Sequence, residues 1–468
     1  MRYLKNLRGA LIAALALVAS LSACATLPEL EQKTVAQNGS AAPTIVSARG
    51  QLSLKQAQAI IKRLDAQAPG DMLARHIAIE EEVSGNPLVA GNKVLLHVDG
   101  PSTYAAMFEA MRNARDHINF ETYIFEGDEV GNKFAELMLQ KQAQGVQVNL
   151  IYDSIGSLGT PKEFFQRLRD GGINVLEFNP VNPLKVRREY RLNQRDHRKI
   201  LIVDGVTAFT GGINVSDVYS KSSSSRWRGS SATGGDPTKE AWRDTQVQIQ
   251  GPAAADFQRL FMDTWARQKG APLAQRNYFP KVATQGDHIV RVLGTTPDQP
   301  SHEIYLAFMS ALTHADHSAY LTYAYFVPDK QLLDALKGAA RRGVDVKLIL
   351  PGFTDSGPVF YAARSYYAEL LEAGVQIYER RDALLHAKTA VIDGVWSTVG
   401  SANLDLRSFL HNDEVNAVVL GRDFAMNMTN MFNKDLAASQ RIELQAWEKR
   451  PMIDRFKEWS SRLLQYWL

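Results

Sequence analysis

Hydrophobic positions along the chain fall into two alternating patterns. Ile118-Asn-Phe-Glu-Thr-Tyr-Ile-Phe125, Gly145-Val-Gln-Val-Asn-Leu-Ile151 and Gly172-Ile-Asn-Val175 are short runs of β-branched and aromatic residues, which predict strands. Between the first two, Phe134, Leu137 and Met138 recur at helical spacing and predict a helix over 131–144. The same series returns later. Ala319-Tyr-Leu-Thr-Tyr-Ala-Tyr-Phe326, Gly343-Val-Asp-Val-Lys-Leu-Ile349 and Gly374-Val-Gln-Ile377 read as strands, with Leu332, Leu333 and Leu336 marking a helix over 331–342. Strands alternating with helices argue for an α/β architecture built twice.

Polar residues repeat in step with this pattern. His197-Arg-Lys199 followed by Asp204 has the spacing H-x-K-x-x-x-x-D, and Gly211-Gly-Ile-Asn214 comes shortly after. His386-Ala-Lys388 followed by Asp393 repeats it, with Gly400-Ser-Ala-Asn403 behind. An acid then opens the next strand in each copy: Asp244 seven residues before Gly251, and Glu414 seven residues before Gly421.

On a strand, residues i and i+2 share a face, so each histidine projects beside its lysine. An imidazole next to an ammonium is a poor metal site, because lysine only donates and repels cations. It suits a phosphate: the ammonium neutralises oxygens, and the imidazole attacks phosphorus or passes a proton. Asn214 and Asn403 are placed to donate to the same oxygens. Asp244 and Glu414 fit the acceptors that hold the other ring nitrogen of a histidine nucleophile. Asp204 and Asp393, at an odd offset, should face away or close the strand. Two such half-sites suit phosphodiester cleavage with no metal and no cofactor.

Composition narrows the class. At 468 residues, 45% hydrophobic and 22% charged, the chain is globular and long enough for two or three domains. One cysteine, Cys24, excludes an intrachain disulfide framework. The net charge of +3 resides in Arg2, Lys5 and Arg8, so global charge gives no sign of a nucleic-acid partner. Those cations precede an apolar run from Ala10 to Ala19, shorter than a membrane span, and then Leu21-Ser-Ala-Cys24. This predicts a secretory signal over 1–23. The stretch from about Pro28 to Gly50 reads as a solvated tether.

The paired motifs resemble those of the phospholipase D superfamily, over roughly residues 90–440. That resemblance implies two α/β/α sandwich halves related by a pseudo-twofold axis, with one active site between them. It implies His197 as nucleophile and His386 as general acid/base, with Lys199 and Lys388 in the catalytic set. The motif aspartates Asp204 and Asp393 belong to that set by motif and are mainly structural in relatives. Glu121-Thr-Tyr-Ile-Phe125, Tyr325-Phe-Val-Pro-Asp329, Leu350-Pro-Gly352 and Gly400-Ser-Ala-Asn-Leu-Asp-Leu-Arg-Ser-Phe409 look most like the bacterial cardiolipin synthase branch. That branch implies phospholipid substrates, a phosphatidylglycerol-like donor and acceptor, and a membrane surface. The tetrapeptide ending at Cys24 resembles a bacterial lipoprotein signal, which implies lipid attachment at Cys24 and an envelope location. Ala25 after it favours the outer membrane.

The expected organisation is a signal over 1–23, a tether and helical segment over 24–90, halves over 91–285 and 286–438, and a C-terminal amphipathic helix over 439–468. In that last helix Ile453, Phe456, Trp459, Leu463, Leu464 and Trp467 share helical spacing. The expectation is an apolar face packed on the body, with an interfacial role as the alternative. Lys185 to Lys199 holds seven basic residues and reads either as a solvated loop or as a collar for anionic headgroups. Ser220 to Lys239 reads as a Ser/Gly-rich insertion. His314 and His317 read as structural or exposed. Three functions stay open: transphosphatidylation giving cardiolipin, hydrolysis by a phospholipase D or other phosphodiesterase or nuclease, and non-catalytic phospholipid binding.

Overall fold

The computed structural model describes residues 27–28, 44–65, 76–77, 85–181, 193–220, 241–297, 302–466 and 468. The signal segment, Cys24, most of the tether, residues 185–192 of the basic run, most of the Ser/Gly-rich insertion and Trp467 lie outside them.

Each half builds the same strand order from the same pattern. In the first, Asn174–Phe178, Gln147–Asp153 and His117–Thr122 run parallel. Lys199–Val203, Thr207–Gly211, Gln246–Gln250 and Leu88–His97 then follow, each antiparallel to its neighbour. In the second, Gln376–Arg380, Asp345–Pro351 and Ser318–Tyr323 are parallel. Lys388–Ile392, Trp396–Gly400, Asn412–Leu420 and His288–Thr295 continue antiparallel. Leu88–His97 and His288–Thr295 meet antiparallel at the seam, so the two halves form one continuous sheet. The first half therefore starts at Leu88, three residues before the expected boundary.

Helices cover both faces, and the central strands, such as His117–Thr122 and Lys199–Val203, are buried on both. The helix expected over 131–144 is Glu129–Ala143, burying Phe134 and Met138; that expected over 331–342 is Lys330–Arg341, burying Leu332, Leu333 and Leu336. Helices Ala254–Arg267 and Arg422–Ala437 lie across the seam. Phe257, Phe261, Phe424 and Met428 share one core there with Val89, Val247, Val290, Val415 and Val419.

Two expectations change. Part of the tether is docked: Ile45–Ser47 pairs with the start of strand Leu88–His97, and helix Leu54–Asp65 follows. The C-terminal segment is not one helix. Ser439–Ile442 adds an edge strand to Gln376–Arg380, and helices Leu444–Glu448 and Met452–Arg462 follow. The last helix also turns its apolar stripe outward. Met452, Phe456, Trp459 and Leu463 are 75%, 61%, 58% and 66% exposed, while Glu458 is 3% exposed. Its polar side is held by ionic and aromatic partners, described below, which a periodicity argument does not weigh.

Candidate active site

Each motif begins where the two halves exchange backbone. The short strand Arg195–Asp196 pairs parallel with Asn412–Asp413, and His197 N–H donates to the Asp413 carbonyl at 2.9 Å. The next residues in register are His197 and Glu414. Likewise Trp242–Arg243 pairs parallel with Leu384–Leu385, and His386 N–H donates to the Arg243 carbonyl at 2.8 Å. The next residues there are Asp244 and His386.

The side chains follow this register. Nδ1 of His197 lies 3.0 Å from both carboxylate oxygens of Glu414, and Nδ1 of His386 lies 2.7 Å from Asp244 Oδ2. Each histidine is thus held by the acid of the other half. Ion pairs fix the bridging segments: partly buried Arg267 donates to Asp413 at 2.5 Å, and buried Arg243 to Asp435 at 2.7 Å.

The second motif residue stays close to its histidine. Lys199 Nζ donates to the His197 carbonyl at 2.6 Å, and Lys388 Nζ to the His386 carbonyl at 2.5 Å. Lys199 Nζ also lies 5.2 Å from the Tyr123 ring centre, and Tyr123 meets His197 edge-on at 5.1 Å. Trp242 lies 5.1 Å from the His386 ring.

Burial governs the charges. It lowers His197 to about 4, with Glu414 opposing and Lys199 and Lys388 reinforcing. Burial would raise Glu414, but His197, Lys199 and the Ser401 hydroxyl outweigh it and hold the carboxylate at about 2. Near neutrality the pair is therefore a neutral imidazole donating Nδ1–H to an ionised carboxylate. Nε2 is left with its lone pair. Burial, then Lys388, lowers His386 against the pull of Asp244. Burial also brings Lys199 to about 7 and Lys388 to about 8, with Glu414 and Asp244 opposing in both.

The motif aspartates are elsewhere, so their place in the catalytic set is corrected. Asp204 and Asp393 have φ of 53° and 52°, each followed by a glycine with positive φ. Both form tight turns between antiparallel strands, a conformation that Asp-Gly favours. The Asp204 carboxylate accepts backbone N–H groups of Arg115, Asp116 and His117. Asp393 accepts those of Asp316, His317 and Ser318, and lies 3.1 Å from His76 Nε2. They brace the turn against the start of the first parallel strand.

Asn214 is engaged within the protein. Its Nδ2 donates to the Tyr219 hydroxyl at 3.2 Å, and its Oδ1 accepts Ile124 N–H at 3.2 Å. Asn403 is buried, with its backbone N–H on Ser408 Oγ at 3.0 Å and its Oδ1 unpartnered. In the basic run, Arg195 and Arg198 are buried and bonded to Asn179, Asp153, Glu414 O and Thr295 O, so neither belongs to a headgroup collar. His314 caps its helix through the Ser310 carbonyl at 2.9 Å.

Sequence reasoning missed two supports. Ser401 Oγ donates to Glu414 Oε2 at 2.5 Å, and the Tyr219 hydroxyl lies 3.2 Å from His386 Nδ1. The copies differ at the Ser401 position, where the first half has Gly212, and that difference was a visible signal. A Cβ at Gly212 would fall inside van der Waals contact of both Asp244 carboxylate oxygens. Tyr219 had no signal, because it belongs to no repeated motif.

Comparison with known proteins shows what the chain is similar to. Residues 107–222 and 308–436 match the family described as "Cardiolipin synthase, PLD-like domain". The chain is 35% identical over 406 residues to the cardiolipin synthase of Geobacillus thermodenitrificans, covering 86% of this chain and 77% of that protein. It is 35% identical over 377 residues to the major cardiolipin synthase of Bacillus subtilis, covering 80% and 75%. Among solved structures, the phosphatidylserine synthase of Haemophilus influenzae superposes with a TM-score of 0.63 at 13% identity, over 84% of this chain and 100% of that one. At that identity the superposition speaks for the fold.

Proposed function

The chain belongs to the phospholipase D superfamily, in its cardiolipin-synthase-like branch, and from that premise we propose that it is a phosphatidyltransferase joining two phospholipids into cardiolipin. The observation that carries the reading is the reciprocal pairing of His197 with Glu414 and His386 with Asp244. It commits Nδ1 of each ring to a carboxylate and leaves both Nε2 atoms for chemistry.

In the first step Nε2 of His197 attacks the phosphorus of a phosphatidylglycerol-like donor. The N–P bond forms, the P–O bond to the headgroup glycerol breaks, and His386 gives its proton to the departing oxygen. The phosphodiester's negative charge favours protonated His386 and charged lysines once it is bound. Lys199 and Lys388 balance the charge that builds on the non-bridging oxygens. In the second step His386 takes the proton from a glycerol hydroxyl of the acceptor lipid. That oxygen attacks phosphorus and His197 leaves.

The experiment is lipid analysis with labelled phosphatidylglycerol, comparing wild type with His197→Ala. Labelled cardiolipin plus glycerol from the wild type alone supports the reading. Labelled phosphatidic acid in place of cardiolipin would make the chain a hydrolase.

A lipid-anchored, periplasm-facing location, with the outer membrane favoured, belongs to the same proposal. Its support is the Leu21-Ser-Ala-Cys24 sequence. Among the described residues no helix is long and apolar enough to cross a membrane. Fatty-acid labelling that persists in Cys24→Ser would overturn lipidation.

A further inference from the structure

Helix Met452–Arg462 is amphipathic with its polar side turned to the protein. At about 100° per residue, Met452, Phe456, Trp459 and Leu463 form one stripe, with Ile453 and Leu464 on its shoulder. All six are exposed. Glu458 and Ser461 lie opposite and are buried. Glu458 accepts from Arg450 Nε and a terminal nitrogen at 3.0 and 2.8 Å, and Arg450 stacks over Trp447 at 4.6 Å. Arg462 stacks over Tyr366 at 4.3 Å, and the Tyr366 hydroxyl donates to Gln465 at 2.6 Å. The helix is thus fastened through its polar residues, in the orientation that leaves its apolar stripe uncovered.

Charge identifies what would cover it. Arg455 and Lys457 flank the stripe, one on each side. From Lys449 to Leu468 there are five basic residues against two acidic ones. An apolar stripe carrying Phe and Trp between cationic shoulders matches an anionic lipid surface, where rings enter the interface and cations meet phosphates.

Position supports the same partner. The helix packs on helix Gly357–Arg364, and Lys457 Nζ lies 3.2 Å from Tyr361 Oη. The loop leading into Gly357–Arg364 holds Asp355, which accepts from the Tyr325 hydroxyl at 2.8 Å, and the Tyr325 ring lies 6.5 Å from His386. In the first half the equivalent loop carries exposed Ile155 and Leu158, and its Ser157 Oγ donates to the carbonyl of Tyr123 beside His197. Exposed apolar residues therefore lie on the loop that touches Tyr123 in the first half and, in the second, on the helix packed against the segment that follows the Asp355 loop.

We propose that helix Met452–Arg462 is a membrane-docking element that lays its outward stripe into an anionic bilayer beside the active site. The proposal deepens the phospholipid reading and rests on it for the choice of partner.

The test uses the full chain with Cys24→Ser, so that one introduced cysteine takes an environment-sensitive dye. One site is Leu463→Cys. The control is Gln275→Cys, exposed beside Arg276, which reaches Gly145 at the far ends of the parallel strands. Vesicles contain phosphatidylglycerol and phosphatidylethanolamine, with and without brominated acyl chains. The dye at 463 should shift to the blue and be quenched by bromine, and the dye at 275 should not. Phe456→Ser with Trp459→Ser should weaken vesicle partitioning by at least about tenfold with an unchanged melting temperature. That variant should keep its turnover of a soluble short-chain phosphatidylglycerol.

A dye at 463 that stays in water while the protein sits on vesicles overturns the proposal. So does a response that follows protein concentration without vesicles, which would make the stripe a contact between copies. His197→Ala separates the two readings. It should lose turnover and keep the dye response; unchanged turnover would sink the catalytic assignment and leave the docking result standing.

Discussion

Glu414 accepts the Nδ1 proton of His197 from a position 217 residues further along the chain, at 3.0 Å through either oxygen. Asp244 does the same for His386 at 2.7 Å across the opposite boundary. Neither half contains a complete site. The shared active site is built by exchange, and the two short parallel bridges set its register.

Glu414→Gln should lower kcat by about 10²–10⁴-fold with little change in KM, because the amide cannot hold the Nδ1–H tautomer or stabilise the ring during attack. Asp244→Asn should act on the proton-transfer side instead. Rapid-quench detection of phosphohistidine on a phosphodiester with an activated phenolate leaving group, which needs no proton in the first step, separates them: less intermediate in Glu414→Gln, more in Asp244→Asn.

His197→Ala should be inactive on every substrate, since no other group forms the N–P bond. His386→Ala should be slowed by about 10²–10⁴-fold on lipids and much less on a phosphodiester with an activated phenolate leaving group. It should accumulate phosphate on His197. Mass spectrometry that finds phosphate on His386 in the wild type, and none on His197, reverses the roles.

Gly212→Ala tests the asymmetry between the copies. The new methyl group would displace the Asp244 carboxylate from His386. A shift of this kind should lower kcat by about 10²-fold while the fold survives. Ser401→Gly, which removes one donor from Glu414, should be milder. Steady-state kinetics with parallel melting curves decide between a catalytic and a folding defect.

Asp204→Ala should mainly reduce stability. It removes the acceptor for three backbone N–H groups and puts alanine at a positive φ. The loss should be about 1–3 kcal/mol, read from urea unfolding. Activity should persist at low temperature, unlike that of His197→Ala.

The pH dependence follows from the buried lysines. An ammonium is charged below its pKa, so its help to an anionic phosphodiester fades as pH rises through about 7 for Lys199 and about 8 for Lys388. His197 must be neutral to attack, and at about 4 it stays so well into the acid range. His386 must carry its proton to act as the acid, and burial lowers it from the ordinary imidazole range. The kcat/KM of a soluble substrate should therefore already decline with rising pH in the acid range and decline further between pH 7 and 8. A flat profile to pH 9 would contradict this.

The sequence by itself determined the duplication, the parallel strands and their helices, and the paired histidines, lysines and acids of the candidate site. Those features are local: a strand's period, a helix's stripe and an H-x-K spacing are written in neighbouring residues. It even placed Asp244 and Glu414 as histidine partners, because both copies open a strand with an acid. Only the tertiary structure decided that each acid serves the other half's histidine. That pairing depends on bridges between segments more than 140 residues apart, which no window along the chain contains. The same holds for Asn214, turned to Tyr219, and for Ser401, folded onto Glu414. It holds most clearly for helix Met452–Arg462. Its periodicity marked an apolar stripe, but the Arg450–Glu458 pair and the stacks on Tyr366 and Trp447 decided which side faces the protein. A hydrophobic pattern gives the faces of an element, while its orientation is set by contacts that exist only after folding.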